Sequence, residues 1–107
     1  IRGGENISCI EVEAAIHRHP AVLEAAVFGL PDERLGESVG AAVVLGEGRE
    51  LAAAELQDYL REHLAAFKVP EHIWLQRELL PRIASGKIFK RQLKADYAAR
   101  LGQGAGS

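Results

Sequence analysis

The residues of this chain best suited to chemistry lie in one short basic segment towards its C-terminal end, PRIASGK at 81–87. Lys87 follows a Ser-Gly pair, which is typical of a turn, and the residues after it predict the start of a helix. The first N–H groups of a helix have no partner within the helix and carry a partial positive charge, so phosphate or carboxylate oxygens are favoured there. Because Lys87 adds a mobile full charge, this segment is predicted to hold an anion.

Taken alone, Ser85-Gly86-Lys87 has an ordinary explanation, a turn followed by a solvated lysine. The segment is not a phosphate-binding P-loop, because the Gly-x4-Gly-Lys-Ser/Thr spacing is missing and Ile88 stands where the magnesium-binding hydroxyl would be. A second segment, IRGGENI at 1–7, changes this interpretation. Its two glycines either permit a tight turn or let a thin ligand pass close to the backbone, since glycine has no Cβ.

Together the two segments, in this order and at this separation, resemble the C-terminal domain of the adenylate-forming superfamily of acyl-CoA synthetases, carrier-protein-loading adenylation domains and luciferases. The resemblance covers about residues 1–97 and includes AVFGLPDERLGE at 26–37, which is similar to the family's V-G-x-P-D-x-x-x-G-E run. CoA ligases typically read R-G-G-E-N-I at the first segment, whereas carrier-protein-loading domains usually read G-x-R-I-E. Ser8-Cys9 replaces the frequent Tyr/Phe-Pro and Ile83 the usual Thr, which leaves the substrate subclass open.

The resemblance implies the mobile, lid-like C-terminal domain of an ATP-dependent acyl-CoA synthetase, an AMP-forming ligase that activates a fatty or other carboxylic acid as acyl-AMP and transfers it to CoA. ATP and Mg²⁺ would bind mainly to an N-terminal domain that this sequence lacks, and that domain would be the partner of this one. A carrier-protein-loading or luciferase-like adenylate-forming enzyme is an alternative. A free-standing anion-binding module is the alternative from another class. The isolated chain is expected to be inactive.

The same resemblance assigns the family's catalytic lysine to Lys87, where a cation would stabilise charge that develops during adenylation. It also implies that acetylation of Lys87, which removes this charge, is a plausible control point. Phe67 and Lys68 stand where some CoA ligases contact the nucleotide end of CoA, with the aromatic ring on adenine and the ammonium near a phosphate. Phe67 also completes an apolar helix stripe and is equally suited to the core.

The glycine-rich segment would contribute to the other half of the CoA site. In CoA ligases this loop lines the tunnel for the pantetheine arm, so the resemblance implies that Gly3 and Gly4 border the tunnel, with Glu5 and Asn6 orienting the loop.

Bulk properties set further limits. A chain of 107 residues with 48% hydrophobic and 26% charged residues is typical of one small globular domain. Its net charge of -2 gives no general reason to expect nucleic acid, although basic residues crowd the last predicted helix. The single cysteine, Cys9, excludes an internal disulfide and favours an intracellular, cytoplasmic setting. The histidine spacing predicts no metal site, and no apolar stretch reaches the about 20 residues that span a bilayer.

The elements predicted around these motifs alternate between helix and strand. Ser8 and Glu11 form a capping-box pattern that predicts a helix from about Cys9, ended by His19 because Pro20 follows. Apolar runs at 23–29 and 38–45 predict strands covered on both faces, with turn residues at 30–34 between them. Further predictions are a helix at 53–66, a strand at 72–78 and a helix from about Ile88.

These elements predict an α+β domain with a small, mostly antiparallel sheet flanked by helices. Residues 1–101 would form this domain, and the GQGAGS tail at 102–107 is expected to be disordered. Because the chain starts within the Arg-Gly-Gly-Glu-Asn motif, it is expected to be a fragment of a longer enzyme.

Overall fold

Three strands and three α-helices make up the domain in the computed structural model, which describes residues 8–32 and 36–105. In chain order they are α1 (Cys9–His17), β1 (Val22–Asp32), β2 (Gly36–Leu45), α2 (Ala53–Arg61), a 3₁₀-helix (Ala66–Lys68), β3 (His72–Gln76) and α3 (Lys90–Ala105). The predicted α+β class is confirmed. α3 continues to Ala105 and therefore includes residues 102–105, which the sequence assigns to the tail.

The sheet is mixed, in the order β1-β2-β3. β1 and β2 pair antiparallel along their whole length, from Val22 opposite Leu45 to Asp32 opposite Gly36. The predicted turn at 30–34 was therefore wrong for residues 30–32, which still belong to β1. β3 pairs parallel with β2, because α2 carries the chain back to the end of the sheet from which β2 starts.

Side chains that alternate along β1 and β2 face two separate cores, which confirms the prediction of a sheet covered on both faces. Ala25, Val27 and Val43 pack with α1 and α2 on one face. Phe28 and Val44 pack with α3 on the other face, where Trp74 contributes a partly buried ring. The sheet thus holds α1 and α3 on opposite sides, and Leu80 and Ile88 of the segment that joins β3 to α3 pack on the α3 side.

The helix boundaries agree with the sequence where local signals set them. α1 starts at Cys9, as predicted, and the Ser8 hydroxyl accepts a hydrogen bond of 3.2 Å from the Glu11 N–H. The prediction for α2 was wrong at its end, because the helix stops at Arg61 rather than Ala66. The N–H groups of residues 63 and 64 both bond to the Leu60 carbonyl, at 2.9 and 2.8 Å, which tightens the last turn and reverses the chain.

Candidate functional site

Lys87 lies on the returning arm of a short hairpin. Arg82 and Ile88 form an antiparallel bridge across it, and the Gly86 N–H donates to the Ile83 carbonyl at 2.9 Å. Gly86 has φ +93°, a conformation that residues with a Cβ rarely adopt, so the turn itself needs the glycine. The predicted position of Lys87 at a helix N-terminus was wrong, because α3 begins only at Lys90.

The Lys87 side chain is directed into solvent. All residues from 81 to 87 are exposed, and the hairpin is closed by backbone hydrogen bonds rather than by packing of its own. Among the side chains that the structure describes, those of residues 8–31 and 38–101, no carboxylate forms an ion pair with the Lys87 ammonium. The hairpin therefore presents a full positive charge that nothing in the described part of the domain neutralises.

One buried carboxylate, Glu24 of β1, holds the first arm of this hairpin. Its Oε2 accepts a hydrogen bond of 2.7 Å from the Leu80 N–H, and its Oε1 forms an ion pair with Arg82. Burial on its own would raise the pKa of Glu24. The hydrogen bonds from Arg82 and Leu80, with the charges of Arg82 and His17, outweigh it and lower that pKa. Glu24 is therefore a carboxylate at neutral pH.

A second carboxylate, Glu13 of α1, contacts the other end of the hairpin. Its side chain forms an ion pair with Lys90, the first residue of α3, and accepts a hydrogen bond of 2.8 Å from the Val27 N–H of β1. Glu13 thus links α1, the outer edge of the sheet and the start of α3. Both ends of the segment that carries Lys87 are tied to the body of the domain.

No sequence motif indicated either carboxylate as part of the site. Glu24 carried a usable signal, since a single charge within the apolar run VLEAAVF at 22–28 must find a partner when both faces of the sheet are covered. What the sequence did not indicate is which of the 13 lysines and arginines provides that partner. The partner, Arg82, is 58 residues away along the chain.

Phe67 and Lys68 lie in the 3₁₀-helix after α2. Phe67 is 60% exposed, so its predicted alternative role in the apolar stripe of α2 is wrong. The Lys68 ammonium lies 5.8 Å from the centre of the Phe67 ring and 2.9 Å from a carboxylate oxygen of Glu11 in the first turn of α1. An exposed aromatic face with a cation beside it is chemically suited to a base and an adjoining phosphate.

The Lys87 hairpin and the Phe67–Lys68 pair lie on different sides of α1. Glu11 and Glu13 are two residues apart, which corresponds to about 200° around a helix axis. Glu11 contacts Lys68, whereas Glu13 contacts Lys90 at the base of the hairpin. The structure therefore does not bring the two predicted groups of site residues into one site. Gly3, Gly4, Glu5 and Asn6 lie outside the described residues.

The described residues offer cations rather than metal ligands. In residues 8–32 and 36–105 no three side chains of His, Cys, Asp or Glu are grouped so that they could hold a metal ion. Nowhere in the same ranges does a helix combine the length and apolarity needed to cross a membrane.

Comparison with known proteins identifies the family to which this chain belongs. The family model for the AMP-binding enzyme C-terminal domain matches residues 11–87, and the chain belongs to that family. Oxalate–CoA ligase of Saccharomyces cerevisiae is 41% identical over 97 residues, which are 91% of this chain and 18% of the yeast protein. Crotonobetaine/carnitine–CoA ligase of Salmonella arizonae is 44% identical over 93 residues, which are 87% of this chain and 18% of that ligase.

A solved structure extends the similarity to the fold. The fatty acyl CoA synthetase of Mycobacterium tuberculosis aligns with a TM-score of 0.83 and 38% identity, over 94% of this chain and 20% of that protein. The chain therefore spans about a fifth of the length of the proteins it matches. The chain is a domain of the kind found in AMP-forming CoA ligases.

Proposed function

We propose that this chain is the C-terminal domain of an acyl-CoA synthetase that converts a carboxylic acid into its CoA thioester through an acyl-adenylate. Similarity to CoA ligases supports the proposal, since two of them are 41% and 44% identical over most of the chain. The RGGEN segment at 2–6 favours a CoA ligase over a carrier-protein-loading enzyme. We place the enzyme in the cytoplasm, because its single cysteine suits a reducing compartment.

The observation that carries the proposal is the exposed, unneutralised ammonium of Lys87 on an anchored hairpin. In the first half-reaction a carboxylate oxygen attacks the α-phosphorus of ATP and the bond to pyrophosphate breaks. Negative charge gathers on the oxygens around that phosphorus. A preorganised cation in a site closed to water stabilises this charge strongly, and Lys87 is the group that supplies it when the hairpin faces the N-terminal domain.

The second half-reaction uses the opposite side of α1. The CoA thiol attacks the acyl carbonyl and AMP leaves with the electron pair of the broken bond. Phe67 stacks on the adenine of CoA, and Lys68 exchanges its contact with Glu11 for a CoA phosphate. Gly3 and Gly4 border the pantetheine path, with Glu5 and Asn6 holding their loop. The exposure of Phe67 supports this assignment, because 60% of its surface is open to a ligand.

Mg²⁺ accompanies ATP, and we assign both to the N-terminal domain. A phosphate-bound Mg²⁺ needs carboxylate or hydroxyl oxygens. Neither the hairpin nor the Phe67–Lys68 pair offers a cluster of such groups among the described residues. The role of this domain is to bring a cation, the Lys87 ammonium, close to the phosphates.

The test is Lys87→Ala in the full-length enzyme, with the two half-reactions measured separately. Adenylate formation, followed by ATP–pyrophosphate exchange, is expected to fall about a hundredfold or more, because a transition-state charge contact is lost. Thioester formation from supplied acyl-adenylate and free CoA is expected to stay within about threefold, since Lys87 takes no part in it. Lys94→Ala, which removes another exposed lysine of the basic region, is the matched control.

An equal fall in both half-reactions would contradict the assignment of Lys87 to adenylation. Normal adenylation without any thioester from free CoA would instead favour the carrier-protein-loading alternative. A third measurement uses the 107-residue chain alone, which is expected to release no pyrophosphate. Turnover by that chain at the rate of an intact ligase would contradict its role as one domain of a larger catalyst.

A further inference from the structure

Glu24 lies directly beneath the hairpin and has no part in the proposed reaction. Among the side chains that the structure describes, it is the only charged one that is buried, with 7% of its surface exposed. Both of its oxygens are used, one by the Leu80 N–H and the other by the Arg82 guanidinium. Arg82 also donates to the Leu80 carbonyl at 3.1 Å, so three residues form one closed unit.

We propose that Glu24 is a positioning residue for Lys87, which fixes the direction in which the hairpin presents the lysine. The proposal rests on the proposed function, because it takes adenylation as the step that Lys87 serves. Glu24 acts through Arg82 and the backbone of Leu80 and touches no substrate.

The hairpin needs an anchor of this kind because its own bonds do not set its orientation. The bonds that close it, from Gly86 to Ile83 and from Phe89 to Pro81, run from one arm to the other. They fix its internal shape, while residues 81–87 all lie at the surface. Its direction relative to the sheet must come from the two ends. At the first end Leu80 is buried and its N–H is held by Glu24.

The chemistry of the anchor suits a rigid link. Arg82 presents a planar fork of N–H donors, and its contacts to a carboxylate and a carbonyl define one orientation of the guanidinium. Glu24 is itself part of β1 and is buried, with 7% of its surface exposed, so its side chain has little freedom to follow the hairpin. A displacement of a catalytic group by about 1 Å costs on the order of a hundredfold in rate. A loosened hairpin is therefore expected to slow adenylation even when Lys87 is intact.

The variant that tests this is Glu24→Gln, which keeps the shape of the side chain and an oxygen for the Leu80 N–H but removes its charge. The structure provides a close control. Arg77 contacts Glu50 at 2.8 Å and the Gly46 carbonyl at 2.8 Å, which is the same carboxylate–arginine–carbonyl arrangement at a site away from the hairpin. Glu50→Gln removes the equivalent charge there.

Two measurements are made on each variant. Amide hydrogen exchange in the 107-residue chain is expected to be about tenfold faster at Leu80 in Glu24→Gln, because the Leu80 N–H bonds to this side chain, and unchanged in the paired residues of β1 and β2. In the full-length enzyme the kcat of adenylation is expected to fall about tenfold with the KM for ATP within about twofold, because the loss is in the transition state. Thioester formation from supplied adenylate is expected to be unchanged. Glu50→Gln is expected to alter none of these.

Unchanged exchange at Leu80, an unchanged adenylation rate, or an equal loss in both half-reactions would each overturn the proposal. If Glu24→Gln does not fold, the double variant Glu24→Gln/Arg82→Gln takes its place with the same criteria, because two amides can hydrogen bond without a buried charge. Failure of the proposed function looks different. In that case the Lys87→Ala enzyme forms acyl-adenylate at the normal rate, whereas Glu24→Gln still loosens the hairpin.

Discussion

At the scale of single residues, two opposite charges of the domain lie in opposite environments, one exposed and the other buried. Lys87 is left exposed and without a carboxylate in the described part of the chain. Glu24 is buried and receives two hydrogen-bonding partners, as a buried carboxylate must if it is to stay ionised. Lys87 is therefore accessible to a ligand, whereas both oxygens of Glu24 are already bonded to Leu80 and Arg82.

The pH dependence of stability should reveal Glu24. Its pKa is lowered by Arg82 and by the Leu80 N–H despite burial, so the folded state binds a proton less readily than the unfolded chain, where a glutamate pKa is about 4.3. The resulting stabilisation is fully present above that unfolded value and is lost as pH falls through the lower folded value. We expect the difference in unfolding free energy between the native chain and Glu24→Gln, measured by urea titration of Trp74 fluorescence, to shrink from pH 7 to pH 3.

The free energy difference for Glu50→Gln serves as the control and is expected to stay small throughout, because that pair lies at the surface. A difference for Glu24→Gln that is constant with pH would mean that the carboxylate charge adds no stability.

At the scale of elements, the hairpin depends on one glycine that local sequence explains. Gly86 has φ +93° with no atom within 4 Å of the position a Cβ would take, so conformation rather than space requires glycine. Gly48, in the turn between β2 and α2, has φ +73° and is equally open. The two positions have the same backbone requirement in different places.

Gly86→Ala and Gly48→Ala are therefore a matched pair. Each is expected to lower the unfolding free energy by about 1–2 kcal/mol, because a Cβ is disfavoured at positive φ. Only Gly86→Ala is expected to slow adenylation, about tenfold, since it alone alters the turn before Lys87. Chemical denaturation and pyrophosphate exchange measure the two effects. Equal rates for both variants would show that the shape of the turn does not matter for Lys87.

At the scale of the whole molecule, α1 separates two surfaces. The hairpin is tied to Glu13 and the Phe67–Lys68 pair to Glu11, on different sides of the helix. If the two surfaces serve the two half-reactions proposed above, the domain must turn against the N-terminal domain between the steps. Each surface should then be open to mutation without harm to the other step.

Phe67→Ala tests this from the CoA side. It is expected to slow thioester formation about tenfold at low CoA concentration, because a stacking face worth roughly 1–3 kcal/mol is lost, and to leave adenylation unchanged. Leu79→Ala, which removes another exposed apolar side chain, is the control for loss of surface area. Gly4→Leu is expected to show the same pattern by obstructing the pantetheine path. If the rate of thioester formation in both variants depends on CoA concentration as it does in the native enzyme, the assignment of CoA binding to the Phe67–Lys68 surface is contradicted.

The sequence by itself determined the features that depend on neighbouring residues or on side-chain alternation. Ser8 and Glu11 are three residues apart, so the start of α1 could be predicted from their chemistry alone. The continuous apolar runs of β1 and β2 predicted a sheet covered on both faces, and the motifs identified a family that comparison confirmed. Lys87 was singled out by the motif, and its catalytic role stays a prediction.

Only the tertiary structure decided which distant groups meet. The parallel pairing of β3 with β2 and the contact of Glu24 with Arg82 both join segments far apart in the chain. No local pattern specifies such partners, because the free energy of a buried ion pair or a strand register depends on packing around both members at once. Lys87 is an example. The local pattern predicted that it lies at a helix terminus, whereas in the folded chain it lies on a hairpin that Glu24 anchors.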